Sequence, residues 1–245
     1  MSYPIKYPTP QGANVQIFSA PRLFGTSPAY HITNQSWIKP QGASFVFFSL
    51  IGGGGGGAGY DGVNPGGGGG SAAVTNFMCP AFLIPDQLSV MVGTGGAGGS
   101  VGAQGVVGRE SSIYYDVKAK ESYILLTALA GNGGFPGSGP GSGGAAMSAN
   151  NFTCMGFLNS SSGANGDTNT PLGTFLTGGT TSQANYYYFN NSGPGFFQMQ
   201  PIIVSTGGGY SQKGGIGSGG GGGGGGSTGD NGGRGGDGLV VIVTW

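Results

Sequence analysis

The sequence predicts an all-β fold in which sandwich-like β-strands feed a packed bundle of polyglycine II helices, with essentially no α-helix. Three observations carry that expectation. Glycine supplies 60 of 245 residues, gathered in tracts, where average usage would be about 7%. Runs of β-branched and aromatic residues of strand length lead directly into or out of those tracts. No longer segment combines helical periodicity with capping residues, and glycine costs about 1 kcal/mol per position inside an α-helix.

Taken in chain order, residues 1–36 are rich in Pro and Tyr, poor in glycine, and contain the only histidine, His31. That composition reads as a leader or attachment segment. Trp37-Ile-Lys-Pro-Gln-Gly opens a second unit, 37–245. The strand-like run 45–51 passes straight into six glycines, 52–57. The same hand-over recurs where 82–92 meets 93–99, and where 123–130 meets 131–134. Near the C-terminus the order reverses, and the tract 219–238 feeds the run 239–245. A glycine-poorer insertion, rich in aromatic and polar residues, occupies about 146–206.

Two readings of the glycine arms compete. Gly/Ser-rich segments are commonly flexible linkers. The alternative is extended helices with three residues per turn and a rise of about 3.1 Å, close to polyproline II geometry. These have no internal hydrogen bonds, so every N–H and C=O must find a neighbouring chain. A helix surrounded on all sides must then be glycine at every position, whereas a peripheral one needs glycine only on its inner face. Both patterns occur: 52–57, 66–70 and 219–226 are unbroken glycine, while glycine recurs at 99, 102, 105 and 108 and at 229, 232, 235 and 238. Ordering so much glycine costs backbone entropy, which a dense mutual hydrogen-bond network would have to offset.

Charge excludes several function classes. Eight basic and eight acidic residues leave a formal net charge of zero, so there is no basic footprint for nucleic acid. No apolar run approaches the roughly 20 residues that span a bilayer, and no secretory signal opens the chain. Cys79 and Cys154 lack CxxC partners, so buried or free thiols and a disulfide both remain open.

The motifs also resemble a known family. Trp37-Ile-Lys-Pro-Gln-Gly-Ala followed by a strand and six glycines resembles the opening of a glycine-rich domain found in tail proteins of tailed bacteriophages. Ile84-Pro-Asp-Gln-Leu-Ser-Val-Met-Val-Gly-Thr-Gly-Gly-Ala-Gly-Gly99 is similar to its second strand and turn, and Gly235-Gly-Asp-Gly-Leu-Val-Val-Ile-Val-Thr-Trp245 to its closing strand. The resemblance covers about 37–245. It implies a virion structural protein, a tail fibre or tail-tip adhesin presenting loops to the host surface. A purely structural subunit, such as a tail cap or head fibre, fits the same signature. By that reading 1–36 contacts other virion proteins, and the further partners are a bacterial surface glycan or outer-membrane protein. Sheet edges left beside the glycine arms suit a homo-oligomer.

Candidate binding residues lie in the insertion: Tyr186, Tyr187, Tyr188, Phe189, Asn190, Phe196 and Phe197. Aromatic faces stack on sugars and amides satisfy hydroxyls; the same residues also suit a local core or a subunit contact. The string 232–240 matches one calcium nonapeptide, but no tandem copy follows to share an ion. A phosphate loop is excluded because Lys213 lies between Gln212 and Gly214. The scarce groups that could act in catalysis, His31, Glu110, Glu121, Asp116 and Asp167, show no arrangement, so neither enzyme activity nor a cofactor is expected. An ice-binding glycine-helix protein is a remote alternative, opposed by the large aromatics and the irregular insertion.

Overall fold

The computed structural model describes residues 13–20, 34–117, 121–137, 139, 141–145, 157–166, 213–217 and 231–245. Among the described residues nine strands form: β1 Asn14–Ser19, β2 Gln35–Ile38, β3 Phe45–Ile51, β4 Val74–Pro80, β5 Gln87–Met91, β6 Ser111–Val117, β7 Glu121–Ala128, β8 Phe157–Ser161 and β9 Leu239–Thr244. A single 3-10 turn, Ala81–Leu83, links β4 to β5, and no α-helix occurs among the described residues. The strands build two antiparallel sheets, ordered β1-β9-β3-β4-β8 and β2-β5-β6-β7. The all-β architecture expected from the sequence is therefore present.

Alternation along each strand decides what the sheets bury. Val46, Phe48 and Leu50 of β3, with Val240 and Ile242 of β9, point towards the second sheet. There they join Trp37, Leu88, Val90, Ile113 and Leu126 in one core. The Trp37 and Phe48 rings meet edge-on with centroids 6.1 Å apart. The opposite face of the same strands is also buried, through Phe47, Ile51, Leu239, Val241 and Val243. Burial on both faces explains why these strands read as near-continuous apolar runs, broken in β3 only by Ser49, rather than alternating ones.

Part of the 1–36 segment takes a place in this sandwich. Asn14–Ser19 pairs along its whole length with β9, from Asn14 beside Thr244 to Ser19 beside Leu239. β2 straddles residue 36.

The glycine arms leave the sheets at one end, where β3, β5 and β7 finish and β4, β6 and β9 begin. Their backbone hydrogen bonds repeat every three residues. On the arm 52–59, the amides of Gly53, Gly56 and Gly59 donate to the carbonyls of Arg109, Val106 and Ala103 at 2.8–3.0 Å. Those of Gly54 and Gly57 donate to Gly236 and Gly233, and those of Gly55 and Ala58 to Gly70 and Gly67. The Gly53 and Gly56 carbonyls accept from Gly131 and Gly134, and those of Gly54 and Gly57 from Gly96 and Gly99. Falling partner numbers mark antiparallel neighbours, and rising ones mark parallel neighbours. The arm 52–59 is thus the centre of a bundle.

The surrounding arms bond to one another in turn. Segment 103–109 donates to 94–97 and to 131–134, and 232–238 donates to 93–99. Segment 214–217 donates to 234–237, Gly217 accepts from Ala72, and 67–70 donates to 132–135. The ring closes around the central arm.

Such packing leaves no room for side chains on inner positions. A Cβ added to Gly56 would lie 2.0 Å from the Ala97 carbonyl oxygen, and one on Gly105 would lie 2.0 Å from that of Gly56. The Cα–H groups there point at neighbouring carbonyls and contribute weak contacts of their own. Side chains survive on outer positions, where Val106 and Val107 are exposed. Ser111 joins the two halves of the molecule: its buried hydroxyl donates to the Ile51 carbonyl at 2.6 Å and accepts from the Gly93 amide at 2.9 Å.

Two outcomes follow. Gly56→Ala is expected to destabilise the protein by more than about 3 kcal/mol, beyond ordinary overpacking, because the obstructing atom is backbone. Thermal unfolding will read this as a fall in Tm on the order of 6–12 °C, while Val107→Ser leaves Tm nearly unchanged. Ser111→Ala strands a carbonyl and an amide, and its cost in denaturant titration is expected at about 1–3 kcal/mol.

Candidate functional site at the outer end of the glycine arms

Each pair of arms must be joined by a turn at the end remote from the sheets, and these turns are where ordinary side chains reappear. One turn runs through 60–65, a second through 100–102 and a third begins at 135–137. Gly102 sits at φ +73°, a left-handed conformation that side chains disfavour.

Hydrogen bonds bring these turns together. The Gly102 amide donates to the Tyr60 carbonyl at 2.7 Å, and the Val101 amide to Asn231 Oδ1 at 3.2 Å. Asp61 Oδ2 lies 3.2 Å from where a Cβ on Gly137 would sit, so the third turn abuts the first. The Phe135 amide donates to the Gly139 carbonyl at 2.7 Å, closing its own loop.

The first turn is held by its own carboxylate. Asp61 Oδ1 accepts from the Val63 amide at 2.8 Å and the Asn64 amide at 2.5 Å. This local bonding is why Asp suits turns. The Asn64 and Val63 amides stabilise the charged form and hold the Asp61 carboxyl below its ordinary value. Tyr60 Oη donates to the Gly62 carbonyl at 2.9 Å.

What remains outward is the Asp61 carboxylate together with apolar and amide groups. Val63 is 75% exposed, and Val101 and Phe135 also face solvent, beside Asn231 and Asn64 at the rim. The surface offers aromatic and aliphatic contact with a few adaptable amides.

The sequence-derived binding residues Tyr186, Tyr187, Tyr188, Phe189, Asn190, Phe196 and Phe197 lie outside the described residues, as do His31 and Asp167. The turn cluster was not among the sequence expectations. Its signal was present in the short glycine-poor islands between tracts, above all Tyr60-Asp-Gly-Val-Asn-Pro65, where an Asp-initiated turn separates two glycine runs.

Other groups singled out from sequence have structural partners. Asp237 pairs with Arg234, three residues away and hence on the same face of a three-residue repeat, and with Lys213 at 3.3 Å. Its Oδ1 also accepts from the Gly95 amide at 3.0 Å. The carboxylate of the calcium-like string thus fastens arm 232–238 to its neighbours. Cys79 is a buried, free thiol, pushed up to about 11 by burial, with Lys39 opposing. Among the described residues no group of acidic, His and Cys side chains is placed to hold a metal. No helix there is long and apolar enough to cross a membrane.

A family model described as a glycine-rich domain matches residues 29–245. No curated protein matches the chain.

The Asp61 turn has a pH signature. Its depressed folded value means that the stabilisation is present above the ordinary carboxylate value of 3.8 and is lost as pH falls through the lower folded value. Amide exchange at Val63 and Asn64 is expected to stay protected on acidification to about pH 4, then to lose protection more steeply below it. Asp61→Asn should abolish that transition while leaving the sandwich intact.

Proposed function

This chain belongs to the glycine-rich domain family, and from that premise we propose that it is a non-enzymatic structural component of a bacteriophage virion. In this reading it is a tail-fibre or tail-tip protein whose loops touch the host surface. The observation that carries the proposal is the turn cluster 60–64, 100–102 and 135–137, gathered at the far end of a hydrogen-bonded bundle. A bundle in which every arm bonds to several others is stiff, and stiffness limits the entropy lost when loops engage a target. The three-residue period of partners supports reading the arms as polyglycine II helices. The strand-to-glycine motifs opening at Trp37 and closing at Trp245, similar to those of phage tail proteins, support the virion assignment.

The target fitted best is an outer-membrane protein loop or glycan, since the exposed cluster carries aromatic, aliphatic and amide groups beside the Asp61 carboxylate. Residues 1–36 supply contacts to other virion proteins. The aromatic insertion residues from Tyr186 to Phe197 provide a second contact region.

Labelled protein incubated with a panel of intact Gram-negative cells tests this reading. Binding is expected to at least one cell type, and blocking by outer-membrane vesicles or by purified lipopolysaccharide separates protein from glycan targets. A variant carrying Val63→Asp, Val101→Asp and Phe135→Ala should bind at least ten-fold more weakly with unchanged Tm. If that variant binds like the parent and alanine replacement of 186–189 removes binding, recognition belongs to the insertion instead. A parent protein that binds no cell yet is incorporated into virions would sink the adhesin reading in favour of a purely structural subunit.

A further inference from the structure

Sheet edges are open arrays of N–H and C=O groups that natural proteins usually protect with charge, proline or a bulge. β1 has none of these. Its sequence, Asn14-Val-Gln-Ile-Phe-Ser19, carries no charged residue and no proline, and its register with β9 is continuous over six pairs. Among the described residues it is the outermost strand of its sheet. Val15 and Ile17 are 55% and 68% exposed. They share a face with Val243 and Val241, their β9 partners, which belong to a buried apolar cluster. Among the described residues, the apolar face of the sheet therefore runs out to an unpaired rim.

We propose that β1 is a self-pairing edge, joining two copies of this chain antiparallel across a two-fold axis at Gln16. The occupant follows from the strand's own pattern. With Gln16 on the axis, Val15 of one copy stands opposite Ile17 of the other, and Ile17 opposite Val15. The rim side chains then form two apolar cross-strand pairs, while the two Gln16 amides face each other. Pairs of this kind stabilise an antiparallel ladder, and an isologous two-fold contact needs only one self-complementary patch.

Charge favours the same occupant. The strand is uncharged, and eight cationic against eight anionic residues leave the whole chain at formal net charge zero, so two copies approach without long-range repulsion. The Ser19 carbonyl at the end of β1 accepts from Gln35 Nε2 at 3.1 Å, which sets the start of β2 beside that end of the strand and outside the 14–18 stretch that pairs about Gln16. Among the described residues β2 is likewise the outer strand of its sheet, so both edges lie on one side of the sandwich. A contact built mainly on one six-residue strand falls short of the ~800 Å² per partner of a standard stable interface. The dimer is therefore weak and depends on concentration.

Sedimentation velocity on the full chain, from micromolar to near-millimolar concentration, tests this. The weight-average mass is expected to rise reversibly from one chain towards two. Ile17→Lys, at an exposed position that leaves the core untouched, should weaken association at least ten-fold, and Val15→Lys should act alike, both with parental Tm. In a Cys154→Ser background, Gln16→Cys should form a disulfide-linked dimer on mild oxidation, while Asn14→Cys, which stands away from the axis, should not. A chain that stays monomeric throughout overturns the proposal. So does a dimer indifferent to both lysine variants, or one that crosslinks through position 14 rather than 16.

Discussion

The structure depends on one constraint, that backbone groups on neighbouring glycine arms must satisfy each other. The arm 52–59 bonds to other segments and not within itself, so a lone arm would leave every amide to water. Surrounded, the arm 52–59 directs successive amides to three different neighbours and receives donors from two more. Each such bond adds only about 1 kcal/mol net, but the same contacts exclude water and make an unpaired group costly. The bundle is therefore cooperative: removing one arm exposes partners on several others. This is how a composition usually associated with disorder becomes an ordered part of the fold.

The sandwich makes that bundle possible. Aligning the arms is entropically expensive for glycine above all other residues, and the sheets reduce the cost by fixing where each arm starts. The apolar core around Trp37 and Phe48 anchors β2 and β3, and Ser111 ties the end of β3 to the arm that follows β5. Strand order then sets arm order. Because β3, β5 and β7 run outward while β4, β6 and β9 return, the central arm has parallel and antiparallel neighbours together. The turns that reverse the chain meet at the far end as a consequence, and the exposed cluster around Val63, Val101 and Phe135 is built there rather than on any single segment.

Particular residues show how far this was legible beforehand. Phe45–Ile51 and Leu239–Thr244 were readable as strands because both of their faces are apolar. Of the glycines readable as inward stripes, those at 105, 108, 232, 235 and 238 each abut a carbonyl of residues 51–57, whereas Gly99 abuts 103–104, Gly102 sits in a turn with open space around it, and Gly229 lies outside the described residues. β1 was not legible. Within a Pro- and Tyr-rich segment it contributes one deeply buried side chain, Phe18, and its identity as a strand comes from pairing with β9. The turn cluster was also hidden, because attention to aromatic content favoured Tyr186 to Phe197 over shorter islands. An Asp61 carboxylate holding two amides is a local signal; its approach to Gly137 is not.

The sequence by itself determined the all-β class, the points where strands give way to glycine, and which positions can carry a side chain. These are local matters, set by the sterics of a missing Cβ and by runs of strand-forming residues. Only the tertiary structure decided which arm lies beside which, that 52–59 is the centre, and that three separate turns form one surface. The reason is chemical: one glycine amide is indistinguishable from another, so nothing in an arm names its partner. That choice is made by the order of strands in the two sheets, where distinct side chains such as Trp37, Phe48 and Ile242 pack in only one way.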